Sequence, residues 1–410
     1  MKRLFPILIT AVIMLFTACG TPITYKPALQ DDFPVPVSLS AQTSASAPAS
    51  GYSALNYDHV KAVWISCIDL APICKDGAEH FRQEFSRMCE NCASLGVNTL
   101  FVHVRPFGDA FYDSKLFPAT RYFCGKPFDA LEIMIEEAHK RKLSFHAWIN
   151  PLRCETTEAL DIMPFDYPVK QWYAAPEKYD EYIMYVEDTK HWWLNPAVPE
   201  VRALAAEGAA EIVRNYEIDG IHIDDYFYPT AEAYFDVGIY VEQGIEQPLN
   251  EWRLENCNKL VRELYEAVKD ANPSVEFGIA PQGNIENNYN CLFADVKKWC
   301  SEDGFCDYIC PQIYFGYHNQ YKPFAPTLDV WKELCAESGR RLLIGIAAYK
   351  IGTEDEFIND KGIIARQAEL ALSETDGAAL FSYNSLFGSE RGREECEHLT
   401  EAFKVCEQRE

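Results

Sequence analysis

Positive charge is scarce in this chain. Its 410 residues hold 37 lysines and arginines against 62 aspartates and glutamates, a formal net charge of −25. That balance argues against a nucleic-acid partner, because binding phosphate needs a basic face. Long apolar runs are scarce too. The one near the N-terminus, Pro6 to Phe16, is too short to span a bilayer well. No Gly-x-Gly-x-x-Gly follows the first strand-like segment, which counts against a dinucleotide fold. A Gly-x-Ser-x-Gly elbow is also missing, which argues against a serine hydrolase. No cofactor is expected. Cysteine, by contrast, is plentiful at 15. Cys89-x-x-Cys92 has no matching second pair, so zinc is not expected there. Most cysteines read as buried thiols acting as small hydrophobes. Cys300, Cys306 and Cys310 are the first to examine for disulfides.

Residues 1–18 read as an export signal, with basic Lys2 and Arg3 ahead of the apolar run. Leu15-Phe16-Thr17-Ala18-Cys19-Gly20 resembles a bacterial lipoprotein signal, with small residues just before a cysteine. Cleavage before Cys19 and lipidation of its sulfur are expected, which would carry the protein on the membrane of a bacterial cell envelope through that lipid only. Residues 19–56 are rich in Pro, Ser, Ala and Thr and read as a flexible tether.

From residue 57 onward, short apolar runs alternate with amphipathic ones. Strands are expected at Ala62–Ser66, Thr99–Val104, Ser144–Asn150, Gly220–Asp224, Glu276–Ala280, Tyr308–Ile313, Leu342–Ala347 and Ala378–Tyr383. Most are continuous apolar runs, as strands covered on both faces should be. Between them lie segments with apolar residues at helical spacing, such as Glu79–Leu95, Pro199–Tyr216 and Leu249–Ala271. Repeated strand–helix units imply one α/β domain over 57–410, a (β/α)8 TIM barrel, with an open doubly wound sheet as the alternative. Two strand-to-helix loops are extended, from Asn150 to about Pro196 and from Asp225 to about Pro248. Loops of that length in a compact domain are usually functional.

The chain is organised around Asp219-Gly220-Ile221-His222-Ile223-Asp224-Asp225-Tyr226. Ile221 and Ile223 alternate with His222 and Asp224, so the acid ends a strand on its inward side. Barrels keep their chemistry at the C-terminal ends of strands. Asp224 is therefore the first candidate for catalysis. Its partner is open among Asp225, Asp109 and Glu286. The plain alternative is that Asp224 and Asp225 merely bond loop amides. Other residues expected to point into the cleft are Arg105, His146, Trp148, Asn150, Arg153, His222, Gln282, Gln312, Tyr314, Tyr349 and Asn384. Amides and acids suit sugar hydroxyls, and the 23 tyrosines and 8 tryptophans suit sugar faces. Each has a plainer reading: Arg105 could clamp Asp109, and His146 could be a core histidine. His103, His146 and His222 with Asp224 invite a metal reading, but no metal is assigned.

Lys61-Ala62-Val63-Trp64-Ile65-Ser66, Val104-Arg105-Pro106-Phe107-Gly108-Asp109-Ala110, Phe145 to Arg153, Asp219 to Pro229 and Pro311-Gln312-Ile313-Tyr314 resemble the glycosyl-hydrolase-like family 10. The resemblance runs from about Val60 to Leu386. It implies a TIM barrel, export to the envelope and hydrolysis of glycosidic bonds, with peptide-free peptidoglycan strands as one substrate in the family. It also implies site roles for Asp109, Asp224, Asp225, His146 and Gln312. This chain departs from the family at Phe315, where Trp is common, and at Ala280-Pro281-Gln282-Gly283, where Ser-Pro-Phe-Gly is usual. Both departures bear on substrate choice. A glycoside hydrolase working through two carboxylates is the expected function. A glycan-binding barrel that has lost activity is the alternative.

Overall fold

A computed structural model describes residues 52–353 and 355–407. The export signal, Cys19 and most of the tether lie outside the described residues. Eight parallel strands close into a barrel. They are β1 (Val60–Ile65), β2 (Thr99–Arg105), β3 (Ser144–Ile149), β4 (Gly220–Ile223), β5 (Glu276–Ile279), β6 (Tyr308–Ile309), β7 (Arg341–Ile346) and β8 (Gly377–Phe381). Each pairs with its neighbours in chain order, and β8 closes on β1 with Ala379 opposite Ala62 and Phe381 opposite Trp64. An open sheet would put those two strands on opposite edges. The chain is therefore a (β/α)8 barrel of the α/β class.

Helices cover the outside. Those used below are α1 (Gly77–Leu95), α2 (Ala130–His139), α3 (Pro199–Asn215) and α4 (Leu249–Ala271). Their limits follow from local chemistry. Proline opens α3 at its first position, where its missing N–H costs nothing. Gly96 ends α1 at φ 93°, where its amide caps the Ala93 and Cys92 carbonyls. The long loop after β3 folds an antiparallel hairpin, Ile183–Val186 with His191–Leu194. Sequence periodicity does not reveal it, since four-residue runs are too short to separate a strand from a loop.

Alternation along the strands sorts the core into two apolar clusters. The larger lies between sheet and helices; the smaller fills the barrel and includes Trp64, Phe101, Trp148 and Tyr308. Glycines make room for the large rings inside. A Cβ on Gly278 would come within 1.9 Å of the Tyr308 ring, and one on Gly220 within 2.3 Å of the His146 ring.

The end of the expected tether closes the N-terminal mouth of the barrel. The Leu55 amide and the Tyr52 hydroxyl donate to Asp219 Oδ1. The Phe145 amide donates to Asp219 Oδ2 at 2.6 Å, and His139 Nε2 lies 2.8 Å from the same oxygen. Asp219, at the start of the organising stretch, is thus a buried structural acid at the closed end.

Candidate active site

At the other end of β4 the chain leaves the sheet as Asp224-Asp225. Asp224 continues the inward alternation and is buried. Asn150 Nδ2 donates to its Oδ1 at 3.0 Å, and the Tyr226 amide reaches the same oxygen at 3.4 Å. Asn150 is oriented in turn by His103, whose Nε2 bonds Asn150 Oδ1. Burial holds the His103 ring down at about 3, so it is neutral and donates its single Nε2–H to the amide oxygen. Trp148 stacks on that ring at 3.7 Å between centres. The line Trp148, His103, Asn150, Asp224 therefore presets the amide that meets the acid.

Asp225 turns the other way. Gln282 Nε2 donates to its Oδ2 at 2.9 Å and Gln312 Nε2 to its Oδ1 at 3.1 Å. Gln282 is itself held by Asn287, and Gln312 also bonds the Ala280 carbonyl. Burial raises both carboxyls above the usual range. For Asp224 the Asp225 charge adds to burial and drives it well up, while for Asp225 the two amide donors oppose burial. Arg153 lowers both. Two neighbouring acids are made unequal in this way, with Asp224 raised the more and so the one that keeps its proton to higher pH.

Aromatic rings wall the site. Half-buried Tyr314 feels both carboxylates, and its ring lies 5.6 Å from exposed Tyr349 and 6.1 Å from Phe381. Tyr226 faces Trp193 of the hairpin at 5.9 Å. Asn150, Gln312, Tyr314 and Tyr349 are thus brought together around Asp224 and Asp225, with Trp148 beneath them.

Other candidates lie elsewhere. His146 sits opposite Gly220, four residues before Asp224 along β4, or about 13 Å lower at ~3.3 Å per residue. Its ring nitrogens meet Tyr308 and Asn56 in the barrel interior. His222 bonds Trp64 and Tyr308 there and is fully buried. Both histidines are core residues, held below their usual pKa by burial. Arg105 follows a register shift in β2, which turns it out of the barrel. Its guanidinium lies 4.4 Å over Phe117, beside Gly208 of α3. Asp109 is buried under its own loop, where it accepts the Phe107 amide, and its charged neighbours are Arg121 and Glu155 rather than Asp224. Glu286 is exposed and ion-paired to Lys322 at 2.6 Å, which lowers its pKa, so it is not an acid held protonated. Asn384 is exposed on a short helix; its amide N–H meets Asp69 and its side-chain oxygen lies against Gly388.

Gln282 and Arg153 come to the front instead. Both are among the residues expected to point into the cleft, but nothing in the sequence separates them from the others. Gln282 is one of the departures from the usual family pattern, and it touches a carboxylate directly. That departure therefore bears on the chemistry as well as on substrate choice.

The glycosyl hydrolase-like 10 family model matches residues 59–361. The chain belongs to the glycosyl hydrolase-like 10 family. The matched span takes in Asp224, Asp225 and every polar residue that bonds them; Phe381 lies beyond it. Glycosyl hydrolase YngK of Bacillus subtilis is 33% identical over 324 residues, covering 71% of this chain and 61% of YngK. The chain thus spans about three fifths of that relative. Glycosyl hydrolase DigH of Escherichia coli K12 is 31% identical over 324 residues, covering 70% of this chain and 72% of DigH. Among solved structures, the PgaB (BpsB) glycoside hydrolase domain of Bordetella bronchiseptica superposes with a TM-score of 0.59 at 10% identity, covering 83% of this chain and 99% of that domain. At that identity the likeness concerns the fold.

Proposed function

We propose that this glycosyl hydrolase-like 10 protein cleaves glycosidic bonds in a cell-envelope or environmental polysaccharide, with peptide-free peptidoglycan strands as the leading substrate. The observation that carries the reading is the Asp224–Asp225 pair and its unlike partners, one side-chain amide and a backbone N–H on Asp224 Oδ1 against two side-chain amides on the two oxygens of Asp225. Both donors to Asp224 end on Oδ1, which leaves Oδ2 to hold a proton. Asp224 is then the general acid that protonates the leaving oxygen. Ionised Asp225 supplies negative charge to the oxocarbenium-like centre. Family membership and the names of YngK and DigH point the same way.

The test is a product assay of purified protein on peptide-free glycan strands and a panel of plant polysaccharides. New reducing ends are the expected result. Glycan binding without turnover on every substrate would leave a binding barrel and end the hydrolase reading. The pH profile checks the assignment. Gln312→Met removes a donor that favours ionised Asp225, so that carboxyl titrates higher. The acidic limb of kcat/KM should move to higher pH. An unmoved limb would show that Asp225 is not the group behind it.

The same proposal places the protein on the envelope through Cys19. Cys19→Ser should move the mature protein out of the detergent phase. Partitioning like the parent would rule the anchor out.

A further inference from the structure

Arg153 has a setting that the hydrolase reading leaves unexplained. The loop carrying it is tied to the hairpin: Leu194 donates to the Leu152 carbonyl at 2.8 Å and Cys154 to the Trp192 carbonyl at 2.9 Å. Its guanidinium carbon lies 4.5 Å from the ring centres of both Phe107 and Tyr226. Those rings stabilise a cation and hold its plane. Nε is buried with no hydrogen-bond partner. Among the described residues no carboxylate lies within ion-pair distance of Arg153, although the chain carries 62 acidic residues. Its charge still reaches Asp224 and Asp225. If the arginine existed only to keep Asp225 ionised, it would be bonded to it; Gln282 and Gln312 take both Asp225 oxygens instead. Among the described residues the terminal nitrogens also have no hydrogen-bond partner, and unlike Nε they are not among the buried unpaired atoms, so they are free to meet a ligand near the acid pair.

We infer that Arg153 is a substrate-binding residue that pairs with a carboxylate carried on a sugar ring, so that the preferred glycan is an acidic one. This deepens the hydrolase reading and rests on it. A planar guanidinium edge matches a carboxylate through paired N–H donors. A phosphate or sulfate would call for more cations or a glycine-rich backbone, and two aspartates beside the site would repel a dianion. The sugar carboxylate has two chemical sources: a lactyl ether on an amino sugar, exposed when peptidoglycan strands lose their peptides, or the C6 carboxylate of a uronic acid.

The test compares kcat/KM on peptide-free peptidoglycan strands before and after their carboxyls are converted to neutral methylamides, and likewise on a polyuronate. The parent should prefer the charged form of one of these by about 10- to 100-fold, the range of a hydrogen bond to a charged group. The glycan that shows the preference identifies the source. In Arg153→Gln that ratio should fall close to one, chiefly through KM, and Arg153→Lys should restore part of it. An unchanged ratio in Arg153→Gln, or a parent that cleaves charged and neutral strands equally, would overturn the inference while leaving the hydrolase reading intact. If the parent yields no new reducing ends at all, the hydrolase reading fails. The same ratio is then read from calorimetric binding constants, and equal affinity for charged and neutral strands would overturn the inference as well.

Discussion

Asp224→Asn should lower glycan cleavage by about 10²–10⁴-fold, the worth of acid–base assistance, while the protein stays folded. The residue is inward, buried and bonded through Oδ1 to Asn150 and the Tyr226 amide. An asparagine oxygen accepts both bonds, so the local structure survives. What is lost is the transferable proton on Oδ2. Stability provides the control. Burial and the Asp225 charge raise the Asp224 carboxyl, so the folded state holds its proton to higher pH than the unfolded chain does. The parent therefore loses stability as pH rises from the unfolded carboxylate pKa towards the raised one. The variant lacks that loss and should melt no lower than the parent near neutral pH. Thermal melts beside the product assay decide the matter. A folded variant with near-parental turnover would make Asp224 a structural acid.

Asp236→Ala should cost about 3–5 kcal/mol, the usual penalty for leaving a buried charge unpaired. Arg253 on α4 bonds both Asp236 oxygens, and both side chains are fully buried. The same guanidinium holds the Ala231 carbonyl at 2.8 Å and the Glu232 carbonyl at 3.0 Å, so it pins the loop that leaves the Asp224 strand. Loss of the aspartate strands the cation among Tyr228 and Phe293. Urea unfolding of parent and variant measures the cost. The exposed pair Lys361–Glu394 is the comparison, and breaking it should cost at most about 1 kcal/mol. A loss at Asp236 no larger than that would show the loop is held by something else.

Neither partner of that buried pair stands out in the chain. Arg253 reads as one more charged position on an amphipathic helix, and Asp236 as one more polar loop residue. Their meeting depends on the loop folding back onto α4, which no local pattern encodes. Glu286 is the same case in reverse. Its place after β5 made it a candidate acid, and a distant Lys322 makes it an ordinary surface carboxylate.

The repeating pattern was legible because its cause is local. A parallel strand covered on both faces must be apolar throughout, and a covering helix must be apolar on one side, so runs and spacings alone marked the eight strand–helix units. That they close into a barrel and not an open sheet was decided by the pairing of β8 with β1. Alternation likewise determined that Asp224 faces inward. Alternation carries no depth, however. His146, His222 and Asp224 all point inward, and only strand register puts the histidines in the core with Tyr308 and the acid at the open end. A shift in β2, invisible in composition, turned Arg105 out. Tertiary structure alone brought Gln282, Gln312 and Arg153 around Asp225. A carboxyl's protonation is set by its solvation and nearest charges, and those come from strands far apart in the chain.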